Sequence, residues 1–283
     1  MNKGEGPGRK GDYGERAKKR LGQHFLKDRF VIARIIKAAG VSEGEHVVEI
    51  GPGPGYLTEG LLGAGAIVTA IELDRDMCGF LREKFSGVEG FNLIQGDALK
   101  VDFFELSGQK GEPFKVVSNP PYNITGPLLF RLLEARGLLK GVVLTIQKEV
   151  AARIVSGPGS KEYGILSVLL QVHFDVKSCF KISRSQFTPA PKVDSVVVSL
   201  TPLERPRVEV EDERFFTTVV KAAFGRRRKT LLNALTSLGA GKAELKVAME
   251  SAGVNSGRRA ETLSLEEFST LAGALLKLRG KHH

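Results

Sequence analysis

Asn119-Pro120-Pro121-Tyr122 is the stretch of this sequence best suited to chemistry. The Asn119 side-chain oxygen and the backbone carbonyl of Pro120 are two acceptors able to take both hydrogens of an amine. An amine conjugated to a ring is a poor nucleophile, because its lone pair is spread into the ring. Holding its two hydrogens favours a tetrahedral nitrogen whose lone pair points at an electrophile. Prolines stiffen the loop that carries these acceptors, and Tyr122 offers a ring face on which a planar target can stack. If the electrophile already bears an excellent leaving group, positioning and electrostatics suffice without a strong general base. Taken alone, the same four residues would also make a proline-rich turn with a buried tyrosine.

A second stretch indicates where the electrophile comes from. Val47-Val48-Glu49-Ile50 has strand character and runs into Gly51, Gly53 and Gly55, after which Tyr56 to Leu62 places apolar residues at helical spacing. Glycines at such a turn permit positive φ and close approach of a ligand, and the helix start offers free N–H groups and partial positive charge. The spacing lacks the third glycine of a dinucleotide site, which weakens a nicotinamide cofactor reading. Glu72 ends the next strand, about 20 residues past the glycines, where a carboxylate can accept from both ribose hydroxyls. Asp97 follows the third strand and suits an adenine amine. Together these residues resemble the S-adenosylmethionine (SAM) site of the Rossmann-like methyltransferases. The resemblance makes the electrophile a sulfonium methyl.

Positioning these residues requires strands that end where the chemistry is. The sequence predicts strands over residues 47–50, 66–71, 91–95, 114–118 and 141–147, with a helix over 126–136 between the last two. Such alternation implies a doubly wound, mostly parallel sheet with ligands at the carboxyl ends of its strands. A helix over 165–173 and strands over 176–182 and 194–200 complete a seven-stranded sheet. Before the first strand, Asp28 is expected to cap a helix with Phe30, Val31, Ile35 and Ile36 on its apolar face, ending at Gly40 and lying across the cofactor crevice. Phe187, on the double-proline loop Phe187 to Ser195, is read as an exposed ring that stacks on the target base opposite Tyr122. Most of the 16 phenylalanines must be core, which is the plainer alternative for it. From about residue 204 only helical patterns remain, the last opening with the capping box Ser264 and Glu267. The expected organisation is a basic tail over 1–20, an α/β domain over 21–203 and a small all-helical domain over 204–283.

Composition narrows the partners. With 283 residues, 42% of them hydrophobic, the chain has ample core for two domains. No apolar run approaches the roughly 20 residues of a membrane span, and the polar start is unlike a signal peptide, so a cytoplasmic protein without membrane contact is expected. Cys78 and Cys179 match no paired-ligand spacing and read as free thiols, and His24, His46 and His173 show no metal spacing, so no metal is expected. Residues 1–20 carry 7 basic and 3 acidic groups, 21–200 carry 20 and 19, and 201–283 carry 15 and 10. The net charge of +10 therefore sits at the two ends, as in a polyanion binder with a near-neutral core. Lysines that merely keep the surface hydrated would give the same totals.

Leu21-Gly22-Gln23-His24-Phe25-Leu26, Glu49 to Gly55, Asn119 to Tyr122 and Phe187 to Ser195, in this order, closely resemble the KsgA-type (RsmA/Dim family) small-subunit rRNA adenine N6-dimethyltransferases. The resemblance runs from about residue 18 to the C-terminus. It implies transfer of two methyls to N6 of each of two adjacent adenosines in the 3′-terminal hairpin loop of 16S rRNA, with four SAM consumed, and a role in small-subunit biogenesis. It implies SAM contacts from His24, Leu26, Gly51, Glu72, Asp97 and Asn119, and a base sandwiched by Tyr122 and Phe187. His24 stands where many members have Asn, and Pro120 where many have Leu; hydrogen bonding and the backbone acceptor survive both changes.

A base inside a duplex cannot reach such a pocket, so the target must be flipped or unpaired. Lys221, the run Arg226-Arg227-Arg228-Lys229 and Arg258-Arg259 are the expected rRNA-facing surface of a monomer; a solvated helix face is the alternative. Two rival readings remain. One is an Erm-type large-subunit rRNA dimethyltransferase; the other is a non-catalytic assembly factor derived from such an enzyme, against which intact Gly51, Glu72, Asp97 and Asn119 argue.

Overall fold

The computed structural model describes residues 23–107, 111–226 and 228–280. The basic tail over 1–20, Leu21, Gly22 and Arg227 fall outside the described residues.

A seven-stranded sheet carries the molecule, built from β2 (His46–Ile50), β3 (Ile67–Glu72), β4 (Phe91–Gln95), β5 (Phe114–Ser118), β6 (Leu139–Gln147), β7 (Phe174–Ile182) and β9 (Ser195–Pro202) in the order β4-β3-β2-β5-β6-β9-β7. The first five are parallel, and β9 runs antiparallel to β6. Val47, Val48, Val68, Ala70, Val116 and Val117 are fully buried, as expected of parallel strands covered on both faces. β2 is flanked by β3 on one side and β5 on the other. The chain therefore winds outward in opposite directions from β2 and β5, and a crevice opens at the carboxyl ends of these two strands. Asn119 stands one residue past the end of β5 and Gly51 one past the end of β2. A Ser118 hydroxyl donating to the Ile50 carbonyl at 2.5 Å ties those two ends together.

Helix α1 (Arg29–Ala39) is capped as its sequence predicts: the Asp28 carboxylate accepts from the Phe30 and Val31 amides, and Gly40 closes it at φ 54°. Its buried face differs from the expected one. Ile32, Ile35 and Ala39 are buried and Val31 and Ile36 partly so, whereas Phe30 is 86% exposed. Phe30 lies on the opposite side of the helix from Ile32 and Ile35, and two isoleucines in phase decide which side faces the core. Nor does α1 lie across the crevice. It packs on β6 and on α2 (Tyr56–Gly63), while the residues before it reach the crevice.

Those residues form β1 (Phe25–Leu26), a short strand that pairs antiparallel with β8 (Phe187–Thr188) in a separate two-stranded sheet. Sequence patterns do not show this pair, nor α3 (Arg75–Lys84), α4 (Phe103–Leu106) and α6 (Lys148–Val155). Helix α5 (Thr125–Glu134) joins β5 to β6.

The chain divides into two compact units, Met1–Lys148 with Ser178–Thr201 and Glu149–Lys177 with Pro202–His283. The second joins α6 and α7 (Ile165–His173) to the residues from Pro202 onward. Gln171 donates from α7 to the Ile154 and Ser156 carbonyls, Arg207 donates to the Gln171 carbonyl, and Tyr163 packs edge-on to Phe224. Beyond α7 this unit holds α8 (Glu213–Phe224), α9 (Leu231–Leu235), α10 (Lys242–Ser251) and α11 (Leu265–Gly280). Phe215, Phe216, Val219, Val220 and Phe224 bury one face of α8, and Ser264 and Glu267 form the expected capping box of α11.

Candidate active site

The crevice is lined by the segment Gln23–Leu26, the loops after β2, β3 and β4, and Asn119 to Ile124 after β5. All of it belongs to the first unit. His24, Leu26, Gly51, Glu72, Asp97, Asn119, Pro120 and Tyr122 are thus brought together.

The glycine loop cannot hold larger residues. Gly51 has φ +67°, and a Cβ there would stand 2.8 Å from the Pro121 ring; Gly53 has φ +54°, and its Cβ would stand 2.8 Å from the Phe25 ring. Backbone is therefore pressed against both the Pro-Pro-Tyr loop and the β1 segment, an approach only glycine permits. From α3, the Lys84 ammonium donates to the Pro54 carbonyl at 2.6 Å, pairs with Glu59 at 2.9 Å and lies 5.2 Å from the Tyr56 ring centroid.

Two buried carboxyls stand at the strand ends. Glu72 accepts from the Asp74 amide at 2.8 Å and, with its other oxygen, from the Gly53 amide at 3.4 Å. Burial raises its pKa while these backbone donors oppose the rise. Glu49, 1% exposed, accepts from the Thr58 hydroxyl at 2.6 Å. Burial, reinforced by the Glu72 charge, pushes its carboxyl up to about 8, against the Thr58 hydrogen bond and the Lys84 charge. Glu49 is a crevice residue that the sequence reading passes over, although a lone carboxylate inside Val47-Val48-Glu49-Ile50 is a visible signal. Asp97 accepts from the Leu99 amide at 3.0 Å, a local turn that fixes its carboxylate at the crevice. Leu73, beside Glu72, is 56% exposed and adds an apolar wall.

Asn119 carries the central observation. Its Nδ2 donates to the His24 carbonyl at 3.0 Å, which can only accept, so the amide orientation is set. The Oδ1 so turned is buried without a hydrogen-bond partner among the described residues. An unmet buried acceptor costs about 1–3 kcal/mol, and a donor on a bound molecule removes that cost.

The Tyr122 hydroxyl and the buried Ser195 hydroxyl are 2.5 Å apart, and burial raises the phenol's pKa, so it stays neutral near pH 7. One face of the Tyr122 ring is stacked by His24, with centroids 5.3 Å apart and planes 28° off parallel. The His24 Nδ1 lies 2.7 Å from the Pro189 carbonyl and must be the donor there. Phe187 is the correction. It is 3% exposed, pairs across β8 to Leu26 and packs with Ile182 and Val197 in the core rather than lining the crevice. The β1–β8 pair turns its ring inward, which a reading of the loop as two prolines and a phenylalanine could not anticipate.

In the second unit Lys221, Arg226, Arg228, Lys229 and Arg259 are exposed. Arg258 is half-buried and engaged internally: it donates to both Glu267 oxygens and to the Thr262 carbonyl and hydroxyl. Among the described residues no helix is long and apolar enough to cross a membrane, and no group of three or more His, Cys, Asp or Glu could hold a metal ion.

Comparison with known proteins agrees with this geometry. The family described as "Ribosomal RNA adenine dimethylase" matches residues 14–277. The "Ribosomal RNA small subunit methyltransferase A" of Geobacter sulfurreducens is 48% identical over 270 residues, covering 94% of this chain and 98% of its own, and that of Moorella thermoacetica is 45% identical over 265 residues, covering 91% and 92%. Among solved structures, a dimethyladenosine transferase from Plasmodium falciparum aligns with TM-score 0.73 at 29% identity, covering 92% of this chain and 98% of its own. The 23S rRNA methyltransferase ErmE aligns with TM-score 0.67 at 28% identity, covering 89% and 99%. Matched along nearly its whole length, with the glycine loop, the strand-end carboxylates and Asn119 around one crevice, the chain belongs to the ribosomal RNA adenine dimethylase family.

Proposed function

We propose that this protein transfers methyl groups from SAM to N6 of two adjacent adenosines in the 3′-terminal hairpin loop of small-subunit rRNA, acting in the cytoplasm as a monomer during small-subunit biogenesis. The observation that carries the reading is the buried, partnerless Asn119 Oδ1 in a crevice shared with Glu72 and Asp97. SAM supplies a methyl on a sulfonium, which needs no further activation as a leaving group. The residues present fit such a molecule: Glu72 stands ready for ribose hydroxyls, Asp97 for an adenine amine, and the Gly51 backbone, His24 and Leu26 line the remainder.

Asn119 Oδ1 and the Pro120 carbonyl accept the two hydrogens of the target amine and turn its lone pair outward. The first transfer leaves a cationic, strongly acidic nitrogen that releases one proton to solvent; one N–H then remains for one acceptor, and a second transfer needs only room for a methyl. Tyr122 supports the base on the ring face that His24 leaves uncovered, and its neutral phenol is no base. Phe187 enters a sandwich only if β1 and β8 part; in the closed pair it is a packing residue. Arg226, Arg228, Lys229, Arg259 and Lys221, with Arg227, would hold rRNA phosphates, whereas Arg258 is already engaged by Glu267 and Thr262.

Identity of 48% and 45% to small-subunit relatives over nearly full length favours the small subunit over the substrate of the ErmE-like fold neighbour. Labelled-methyl transfer to unmethylated small subunits, followed by mapping of the labelled nucleotides, tests the proposal. Two adjacent dimethylated adenosines are expected. Label confined to large subunits refutes it, and SAM binding without transfer to any rRNA would mark an assembly factor.

A further inference from the structure

Helix α1 turns an aromatic and cationic stripe away from its core. Phe30, Arg34 and Lys37 lie on one helical face with Ala33, all exposed and opposite the buried Ile32 and Ile35. The helix carries Arg29, Arg34 and Lys37 and no acidic residue. Phe30 stands out: at 86% it is the most exposed large hydrophobic residue among the described residues, and it contributes to no described core cluster. It does not sit on a frayed end. The Asp28 carboxylate caps the Phe30 and Val31 amides at 2.8 and 3.1 Å, so the ring is carried by a well-formed first turn. Four residues earlier, Leu26 lines the crevice, and between them Lys27 lies over the Tyr56 ring, itself a crevice residue. Arg34 is also pre-placed. Its guanidinium is 3.9 Å from the centroid of the Phe180 ring, a stacking that orders the planar group while leaving its edge for an anion.

An exposed ring beside two cations, one of them held by a stacked ring, is a poor match for water and a good match for single-stranded nucleic acid, where a base stacks on the ring and phosphates meet the cations. From this geometry we infer that the α1 face, through Phe30, Arg34 and Lys37, is a second rRNA contact in the first unit, holding an unpaired nucleotide outside the crevice. The inference rests on the proposed rRNA substrate. The chain's own residues 1–20, with 7 basic and 3 acidic groups, have the wrong sign to cover this stripe.

The test uses the full chain and purified unmethylated small subunits, with binding and methyl transfer measured separately. Phe30→Ala should weaken subunit binding roughly five- to a hundred-fold, while SAM affinity and turnover at saturating subunits stay within two-fold. Arg34→Ala with Lys37→Ala should lower the salt slope of subunit binding by about two units. The chain contains no tryptophan, so Phe30→Trp installs a single indole that can be excited selectively over the tyrosines; it should restore binding, and protein-free small-subunit rRNA should quench it where SAM alone does not. Unchanged subunit affinity in Phe30→Ala overturns the inference. So does emission that rRNA leaves unaltered, or emission that shifts with protein concentration alone and marks a contact between copies. Failure of the wild type to transfer label would refute the proposed function instead, and the binding measurements would still decide the role of α1.

Discussion

Glu49→Gln should make the ligand-free protein more stable at neutral pH, against the usual effect of altering a buried residue. The Glu49 carboxyl is 1% exposed, and burial, with the Glu72 charge adding, lifts its pKa from an ordinary 4.5 to about 8. In the unfolded chain it ionises near the ordinary value, so folding at neutral pH requires proton uptake. For a carboxyl raised in this way the stabilising contribution is complete below pH 4.5 and is lost as pH rises through about 8. Each unit in that window costs about 1.4 kcal/mol, so at pH 7 the cost is on the order of 3 kcal/mol. Glutamine carries no such cost and keeps an oxygen for the Thr58 hydroxyl, now 2.6 Å away. Denaturant unfolding at pH 5, 7 and 9 should therefore give nearly equal stabilities at pH 5, an advantage for the variant of roughly 2–3 kcal/mol at pH 7 and a wider gap at pH 9. A cationic ligand in the crevice favours the ionised carboxylate, so wild-type SAM affinity should strengthen as pH rises towards 8 and that of the variant should not. Parallel pH–stability curves for the two proteins would refute the assignment of a proton to Glu49.

Asn119→Ala removes the orphaned acceptor; with an oriented hydrogen bond of this kind worth about 2–3 kcal/mol in the transition state, turnover should fall 30- to 150-fold while SAM dissociation constants change less than three-fold. Equal losses in both would make Asn119 a SAM ligand only. Tyr122→Phe forfeits the 2.5 Å contact with Ser195 but keeps the ring, so about 1 kcal/mol of stability should go with most activity retained; Tyr122→Ala should raise the rRNA KM at least ten-fold. Lys84→Met frees the Pro54 carbonyl and the glycine loop, and should raise the SAM KM several-fold with kcat at saturation near wild type; an unaltered KM in steady-state kinetics would deny the lysine any hold on the loop. Replacing Arg226, Arg228 and Lys229 with alanine should reduce the salt slope of subunit binding by about three units, and an unchanged slope would remove this surface from the interface.

Residues at strand ends were legible because the chemistry and the structural signal coincide there. Gly51, Glu72, Asp97 and Asn119 each stand just past or at the end of an apolar run, and a parallel sheet delivers all such ends to one rim whatever the loops do. What the sequence hid depends on contacts between distant segments. His24 bonds to Pro189 across 165 positions, and the neighbouring β1–β8 pair has only two residues in each strand, too short for any periodic pattern. Yet that pair decides whether the Phe187 ring faces a substrate or the core. Phe30 was misplaced for a subtler reason: with Phe30, Val31, Ile32, Ile35 and Ile36 all apolar, period alone offers two overlapping faces, and packing on β6 and α2 selects the one centred on Ile32 and Ile35.

Those two errors bear on each other. The sequence places a free aromatic ring at Phe187 and a core ring at Phe30, and the structure exchanges them: 3% exposure for the first, 86% for the second. An enzyme that must hold an extruded base and steady its neighbours needs rings at the mouth of its crevice, and burying Phe187 behind Leu26 leaves Tyr122 alone inside it among the predicted pair. The β1 segment answers for both. Its His24 carbonyl orients Asn119, its His24 ring stacks on Tyr122, its Leu26 shields Phe187, and four residues on it delivers Phe30 to the surface. If rRNA binding draws Phe187 into the crevice, β1 must move, and Asn119 then loses the bond that sets its orientation. A base held by Asn119 and a base sandwiched by Phe187 therefore compete for the same two-residue strand. Trapping β1 against β8 with a disulfide through the other cross-strand pair, Phe25→Cys and Thr188→Cys, keeps the Phe187 ring and separates the alternatives: methyl transfer that survives oxidation assigns base stacking to Tyr122 alone, and loss that reduction restores shows that the pair opens in each catalytic cycle.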